Sequence, residues 1–240
     1  REELVKVVQS DSEIGEIHLR AFILRRVEMI ARGLGDVVLV GSNQSAGTLR
    51  IKEFLTRNGH PHAYVDLESE SGIQEFLAHF QVTASDVPIV ICQGTNVLRN
   101  PSNEEIADCL GLNAAVDEDR VRDLLVIGAG PAGLAAAVYG ASEGLDVLVV
   151  EADSPGGQAG SSSKIENYLG FPMGISGNEL TGRAYTQAQK FGAETMVARA
   201  ALRLACTRPP YAVEVPGAAR ISARSIIIAT GARYRGLPIA

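Results

Sequence analysis

The sequence predicts an α/β protein that contains two α/β domains. Segments of strand character and segments of helix character alternate between residues 36 and 115. Farther along, the continuous apolar segment 123–127 runs directly into a turn that contains three glycines, and a helix and a second apolar strand follow. Because strands that alternate with helices build parallel sheets with crossover helices, both observations predict a sheet covered by helices.

Composition limits the classes of function. The chain has 240 residues, of which 46% are hydrophobic and 21% are charged, and its net charge is −6. This acidic balance argues against nucleic acid or an anionic membrane as a partner. No apolar segment approaches the roughly 18 residues needed to span a bilayer. The chain starts at Arg1 without the pattern of a signal peptide, and we expect that the natural N-terminus is missing.

The three cysteines predict neither a metal site nor a redox motif. Cys92, Cys109 and Cys206 are far apart in the sequence, no CxxC is present, and no Cys/His cluster has metal-ligand spacing. A sparse, odd number of cysteines is typical of a reducing cytoplasm, where we expect the protein to be located. Each cysteine is expected to be a small buried hydrophobic residue.

The N-terminal segment is predicted to be helical. Between residues 3 and 31, apolar residues recur with a period close to 3.6, and Gly33 and Gly35 end the pattern. We interpret residues 1–35 as a linker or as the tail of a preceding domain.

Residues 36–115 are predicted to form a small α/β domain. The expected elements are strands at 37–40, 63–67 and 87–91, and helices at 48–57, 73–80 and 103–110. A turn is expected at Gly94. The charged segment 116–122 then reads as a linker into the next domain.

The segment from Val37 to Leu67 resembles the first half of a glutaredoxin or thioredoxin fold. In that register, Ser45-Ala46-Gly47-Thr48 stands where those families carry a CxxC, and Val87-Pro88 matches their Val–cis-Pro. The resemblance implies a thioredoxin-like domain that cannot exchange disulfides through this segment, since hydroxyl groups form no mixed disulfide. Ser45 is then expected to be a helix N-cap. Docking or positioning is the expected role of such a domain.

The second domain begins with the pattern of a dinucleotide-binding βαβ unit. Strand 123–127 leads into Gly128-Ala129-Gly130-Pro131-Ala132-Gly133, a helix over 134–143, a strand over 146–150, and then Glu151. Gly128 permits the tight turn, Gly130 lets a diphosphate approach the backbone, and Gly133 lets the helix pack against the sheet. The helix N-terminus, at Pro131 and Ala132, attracts the anion. Glu151 can bind both ribose hydroxyls and would repel a 2′-phosphate, which favours FAD or NAD.

Two further motifs follow in order. They are Pro155-Gly156-Gly157-Gln158 with the segment from Lys164 to Pro172, and a strand over 225–228, predicted to be buried, that ends in Ala229-Thr230-Gly231-Ala232. Together with the βαβ unit they resemble the thioredoxin reductase family of flavin-dependent disulfide reductases, over residues 123–240. The resemblance implies that FAD is held by Gly128, Gly130, Pro131, Ala132, Gly133, Glu151, Gly157, Gln158, Asn167, Ala200, Thr230 and Gly231.

By this resemblance, the intact protein passes electrons from NADPH to FAD and then to a disulfide of a thioredoxin-like protein, and it is a homodimer. The NADPH-binding half and the redox CxxC of the family would follow residue 240, so the Rossmann-like FAD-binding domain is expected to be incomplete and this segment alone inactive. No residue of the chain matches a catalytic cysteine of the family.

Two other interpretations remain open at this stage. One is a regulatory module that binds a dinucleotide without turnover. The other is a flavoprotein that resembles ferredoxin–NADP reductases of the thioredoxin reductase type, which lack the CxxC. At the other end of the chain, the N-terminal helices resemble those of reductases that carry a cyclic-nucleotide-binding domain in front.

Overall fold

A computed structural model of the chain describes residues 37–67, 83, 86–93, 95–113, 117, 119–216 and 218–232. The helices predicted over 3–31 and 73–80, the turn at Gly94, residues 116 and 118 of the linker and the C-terminal residues 233–240 lie outside the described residues. The chain divides into two compact units, with the main boundary after Leu110, and each unit has its own sheet.

The first unit is built on a four-stranded sheet. Its elements are β1 (Val37–Gly41), α1 (Ala46–Arg57), β2 (Ala63–Asp66), β3 (Ile89–Cys92), β4 (Asn96–Arg99) and α2 (Asn103–Cys109). The strand order is β2-β1-β3-β4. Strands β1 and β2 are parallel, whereas β3 is antiparallel to both β1 and β4. All predicted strands and helices among the described residues are present, and the prediction missed β4.

Local signals explain the two helices that the structure describes in this unit. Ser45 directly precedes α1, and its carbonyl accepts a hydrogen bond from the N–H of Leu49 at 3.1 Å, which is the backbone position of an N-cap. Ser102 and Glu105 form a reciprocal capping box at the start of α2. The Val87–Pro88 peptide bond is cis, as the sequence resemblance implies.

The second unit has a Rossmann-like βαβ arrangement extended by an antiparallel meander. Its elements are β5 (Val121–Ile127), α3 (Pro131–Ser142), β6 (Val147–Val150), a 3₁₀ turn (Gly157–Ser161), α4 (Gly177–Lys190), β7 (Glu194–Met196), β8 (Arg203–Ala205), β9 (Tyr211–Val215) and β10 (Ala218–Ile228). The six-stranded sheet has the order β7-β6-β5-β10-β9-β8. Strands β7, β6, β5 and β10 are parallel, and β8, β9 and β10 are antiparallel neighbours.

Side chains of the central strands alternate between two apolar layers. Leu124 and Val126 of β5 pack on the face that α3 and α4 cover. Leu125 and Ile127 point to the opposite face, where residues of β9 and β10 pack. Both faces of β5 and β6 are therefore buried, as expected for the centre of a parallel sheet.

Two sequence expectations about the second unit need correction. Strand β5 begins at Val121, so the last two residues of the predicted linker 116–122 belong to the strand, and Arg122 is buried. Strand β10 is longer than predicted and is not buried at its end, because Ile227 and Ile228 are 39% and 64% exposed. Apolar sequence indicates a strand but cannot show whether anything covers its last residues.

Arg122 is buried at the start of β5 because two carboxylates surround its guanidinium. Its nitrogens lie 2.8 Å from Asp146 Oδ1 and 2.6 Å from Glu194 Oε2. This pair of contacts joins the beginnings of three neighbouring strands. The hydrogen bond from Arg122 is the main reason that the pKa of Glu194 lies below its ordinary value.

Within the part of the chain that the structure describes, no helix combines the length and the apolar character that crossing a membrane requires.

Candidate dinucleotide-binding site

The turn after β5 requires glycine at its first position. Gly128 has φ of +105°, and its N–H donates to the carbonyl of Val150 at 2.8 Å. A Cβ at this position would lie 2.4 Å from the carbonyl oxygen of Ala229. The positive φ and the close approach of Ala229, which follows β10, together exclude a larger residue at position 128.

Gly130 has a different environment, because its missing side chain leaves open space. It is the N-cap of α3, with extended backbone, and Pro131 follows as the first helical residue. A Cβ built on Gly130 has only the Cα of Gly157 as a near neighbour, at 4.0 Å. The open space belongs to a cleft at the start of α3, whose first N–H groups have no acceptor within a helix.

Gly133 serves packing and does not line the cleft. A Cβ at this position would lie 1.9 Å from the carbonyl oxygen of Gly128 and 3.3 Å from Cγ1 of Val126. Helix α3 can therefore approach β5 this closely only with glycine at position 133. This is the role that the sequence assigned to it.

Glu151 lies at the end of β6 with its carboxylate directed at the glycine turn. The backbone N–H of Ala129 donates to Oε2 at 2.6 Å, and the N–H of Asp153 donates to Oε1 at 3.0 Å. A carboxylate has about four acceptor positions, so each oxygen keeps capacity for a ligand hydroxyl. Glu151 also lines the cleft.

The segment Pro155–Gln158 closes over the turn from the other side. Gly156 and Gly157 both have positive φ, of 110° and 54°. The N–H of Gly156 donates to the carbonyl of Ala129 at 2.8 Å, and a Cβ on Gly157 would lie 3.1 Å from the Cα of Gly130. The Gln158 side chain donates to the carbonyl of Ala232. This loop is therefore bonded to both other motifs.

The third motif, Ala229-Thr230-Gly231-Ala232, follows β10 and borders the same cleft. Ala229 follows the strand, and its N–H donates to the carbonyl of Ile127 at 2.8 Å. Thr230 and Gly231 then line the cleft. The cleft thus lies at the carboxyl ends of β5, β6 and β10, which is where open parallel sheets bind their ligands.

The structure brings together nine of the twelve residues that the sequence singled out. Those that line the cleft are Gly128, Gly130, Pro131, Ala132, Glu151, Gly157, Gln158, Thr230 and Gly231. Gly133 packs against Gly128 and does not line the cleft. Asn167 and Ala200 are not among the lining residues, and both are exposed.

Backbone pairing explains the positions of these two residues. Asn167 lies in a loop whose ends are joined by the Ile165–Ile175 bridge, which is outside the cleft lining. Ala200 follows Arg199, whose N–H donates to the carbonyl of Glu151 at 2.9 Å. Ala200 is therefore adjacent in sequence to a residue that bonds to Glu151, but it does not line the cleft.

Sequence reasoning missed Ser154. Its side chain is 1% exposed, it lines the cleft, and its hydroxyl has no hydrogen-bond partner among the described residues. Buried hydroxyls normally have a partner, so this atom is suited to contact a ligand. Its place in the sequence, between Glu151 and Gly156-Gly157, was the signal that could have identified Ser154 as a cleft residue.

The three cysteines differ in their exposure to solvent. Cys92 is buried as expected, whereas Cys109 is half-buried and Cys206 is exposed, and none forms a disulfide. Within the described residues, no three His, Cys, Asp or Glu side chains are grouped so that they could hold a metal ion.

Comparison with known proteins finds a family model that matches this unit. Residues 122–240 match the family model described as pyridine nucleotide-disulphide oxidoreductase. The chain is 38% identical to thioredoxin reductase of Bacillus subtilis over 124 residues, which cover 52% of this chain and 38% of that protein. It is 32% identical to NADPH-dependent thioredoxin reductase 3 of Arabidopsis thaliana over 158 residues, or 60% of this chain and 30% of that protein.

Among solved structures, the match to thioredoxin reductase of Streptococcus pyogenes has 38% identity and a TM-score of 0.46, and it covers 50% of this chain and 38% of that one. The chain thus spans well under half the length of these relatives.

Proposed function

Because residues 122–240 belong to the pyridine nucleotide-disulphide oxidoreductase family, we propose that they bind FAD in the cleft at the start of α3. The observation that carries this proposal is the convergence of three separate motifs on one cleft. The glycine turn, the Gly156–Gly157 loop and the Ala229–Gly231 segment are far apart in sequence, and all three border it. Each contributes backbone rather than bulky side chains, as close approach of a dinucleotide requires.

The residues of the cleft fit a dinucleotide. The open space at Gly130 would admit a diphosphate to the N–H groups at the start of α3, where the helix dipole favours negative charge. Glu151 would accept hydrogen bonds from the ribose hydroxyls, since its carboxylate already faces the turn. The unpartnered hydroxyl of Ser154 is a further polar group that a ligand could satisfy. When bound, FAD supplies the two-electron redox chemistry of its flavin ring.

The proposed activity of the intact protein is electron transfer from NADPH through FAD to a disulfide. The proposed acceptor is a thioredoxin-like protein, because the relatives named above are thioredoxin reductases. This also favours the disulfide reductase over the regulatory module and over the ferredoxin–NADP reductase-like flavoprotein. A homodimer in a reducing cytoplasm is the last part of the proposal, and a sparse, odd number of cysteines is typical of that compartment.

We further propose that residues 36–115 form a thioredoxin-like domain without redox activity at segment 45–48. The strand order β2-β1-β3-β4, with one parallel and two antiparallel pairs, supports this proposal. So does the position of Pro88, whose Cγ would lie 3.1 Å from a Cβ on Gly47. The segment that would carry a CxxC therefore faces the proline, as in the resembled families.

Flavin binding provides the direct test. The purified chain should quench FAD fluorescence with a saturable curve, and ADP should compete with FAD because it presents the same diphosphate and ribose. Absence of saturable binding of both ligands would contradict the assignment of the cleft. The wider activity is tested by NADPH-dependent reduction of thioredoxin with the natural gene product. If that product binds FAD but reduces no disulfide, the proposed FAD site is supported and the proposed reaction is contradicted.

A further inference from the structure

Two cysteines that are distant in the sequence lie side by side in the first unit. Cys92 is the last residue of β3, and Cys109 is the last residue of α2. The two thiols lie close enough to interact, and both are free. The proposed flavin chemistry uses neither of them.

Backbone contacts hold the two residues in place independently of their sulfur atoms. Cys92 lies in the sheet, with Val37 of β1 and Asn96 of β4 as its partners. The side chain of the next residue, Gln93, donates to the carbonyl oxygen of Cys109 at 3.4 Å. The end of β3 is thus joined to the end of α2 without any contribution from the thiols.

The two sulfur atoms differ in their access to solvent. Cys92 is fully buried, whereas Cys109 is half-buried. Burial, and then the contact with Cys109, raises the pKa of the Cys92 thiol well above its ordinary value. A reagent from solution therefore meets Cys109 first, and Cys92 reacts only with a group already attached to Cys109.

The position of the pair separates it from the segment that resembles a redox site. Cys92 is opposite Val37, the first residue of β1, whereas Ser45 follows the other end of β1. The described residues also offer no third side chain that would complete a metal site with the two thiols. Disulfide formation is the chemistry that two adjacent thiols support without further ligands.

We propose that Cys92 and Cys109 form a reversible disulfide when the protein meets a small disulfide such as oxidised glutathione. The Cys109 thiolate attacks one sulfur of glutathione disulfide, which forms a mixed disulfide and releases one glutathione thiolate. The Cys92 sulfur then attacks the Cys109 sulfur while its proton passes through solvent to the departing glutathione thiolate, which releases the second glutathione as a thiol. The two cysteines are oxidised by two electrons, and one glutathione disulfide is reduced to two thiols.

The bond would fix the end of β3 to the end of α2. A crosslink restricts the unfolded chain, so the oxidised protein should be more resistant to denaturant than the reduced protein. The disulfide would therefore stabilise the first unit only when the pair is oxidised. Excess reduced glutathione should remove it by the reverse exchange.

The test uses the full chain with Cys206→Ser, so that the exposed third thiol cannot react. This chain is incubated with oxidised glutathione without denaturant, quenched with acid, alkylated and digested. Mass spectrometry should show the peptide of Cys92 linked to that of Cys109 with the loss of two hydrogen atoms. The midpoint of urea unfolding should rise, and reduced glutathione should return both to their starting values.

Two single variants separate the steps. With Cys92→Ser, Cys109 should retain one glutathione, because nothing displaces it. With Cys109→Ser, Cys92 should remain a free thiol. The proposal would be overturned if Cys109 in the chain that contains both cysteines kept glutathione while Cys92 stayed reduced, if neither reacted, or if the linked peptide appeared only in urea.

Discussion

The backbone N–H of Ala129 donates a hydrogen bond of 2.6 Å to the carboxylate of Glu151. Ala129 lies in the middle of the glycine turn, and Glu151 follows the next strand of the sheet. The bond therefore fixes the proposed ribose-binding carboxylate relative to the proposed diphosphate-binding turn before any ligand arrives. Such preorganisation lowers the entropy that binding would otherwise lose.

Replacing Gly130 with valine should abolish FAD binding without unfolding the protein. The added side chain would enter the open space of the cleft, since the nearest atom to a Cβ there is 4.0 Å away. We expect the Kd for FAD to rise at least about 100-fold, or roughly 2.8 kcal/mol. Fluorescence titration measures the Kd, and circular dichroism checks the fold.

Gly182→Val is the matched control. Gly182 is exposed in α4, and a Cβ there meets no atom within 4 Å. This variant should bind FAD as the parent chain does. A Gly130→Val protein with unchanged affinity would show that the ligand does not approach this residue.

Replacing Gly133 with alanine should destabilise the second unit. Its Cβ would lie 1.9 Å from the carbonyl oxygen of Gly128, and backbone cannot move aside as a side chain can. We expect a loss of about 3 kcal/mol or more in the free energy of unfolding, or no soluble protein at all. Urea unfolding measures the change. The control is Gly182→Ala, at an open helical position, which should be neutral or slightly stabilising. If Gly133→Ala were as stable as the parent chain, the close packing of Gly133 against Gly128 would be refuted.

Replacing Glu151 with glutamine should weaken FAD binding while the fold persists. The amide keeps one acceptor oxygen but loses the charge and the second acceptor oxygen, which the ribose hydroxyls would otherwise use. Hydrogen bonds to charged groups contribute about 1.5–3 kcal/mol, so we expect an increase in Kd of roughly tenfold or more. Isothermal titration with FAD measures it. Glu143→Gln, at an exposed position beyond α3, serves as the control and should leave the Kd unchanged.

Stability should depend on the ionisation of Glu194. Its pKa is below the ordinary value chiefly because Arg122 donates a hydrogen bond to it. A group with a lowered folded pKa stabilises the protein above its unfolded pKa of about 4.3, and this contribution is lost as the pH falls through the folded pKa. Urea unfolding between neutral pH and about pH 3 should therefore show a loss of stability that is smaller in Glu194→Gln. Glu214→Gln, at an exposed position in β9, should keep the parental slope; an unchanged slope in Glu194→Gln would contradict the role of this pair.

Introducing two cysteines at positions 45 and 48 should create disulfide activity. In a Cys109→Ser background, the chain should reduce insulin with dithiothreitol no faster than dithiothreitol alone, because Ser45 and Thr48 carry hydroxyls. Ser45→Cys with Thr48→Cys should give a rate above this blank, since the segment lies at the start of α1, where Gly47 is beside Pro88. Turbidity of precipitating insulin is the readout, and Ser45→Cys alone is the control. Activity without the new pair would refute the view that this segment is redox-inert.

The βαβ unit could be predicted because its signals are local. The strand before Gly128, the helix after Gly130 and the strand before Glu151 each depend on residues within a few positions of one another. The roles of Gly128 and Gly133 follow from the same short turn. By contrast, polar or charged residues flank or interrupt the apolar ones in β4, β8 and β9, so only pairing with neighbouring strands identifies them.

By itself, the sequence determined the type and order of the main elements and most residues of the cleft, because local backbone preferences and glycine spacing decide them. Only the tertiary structure decided that Ser154 faces the cleft, that Asn167 and Ala200 do not line it, and that Cys92 contacts Cys109. These outcomes depend on how strands and loops far apart in the chain return to one another. Packing of the whole unit decides which of these distant segments come into contact, and no short stretch of sequence specifies it.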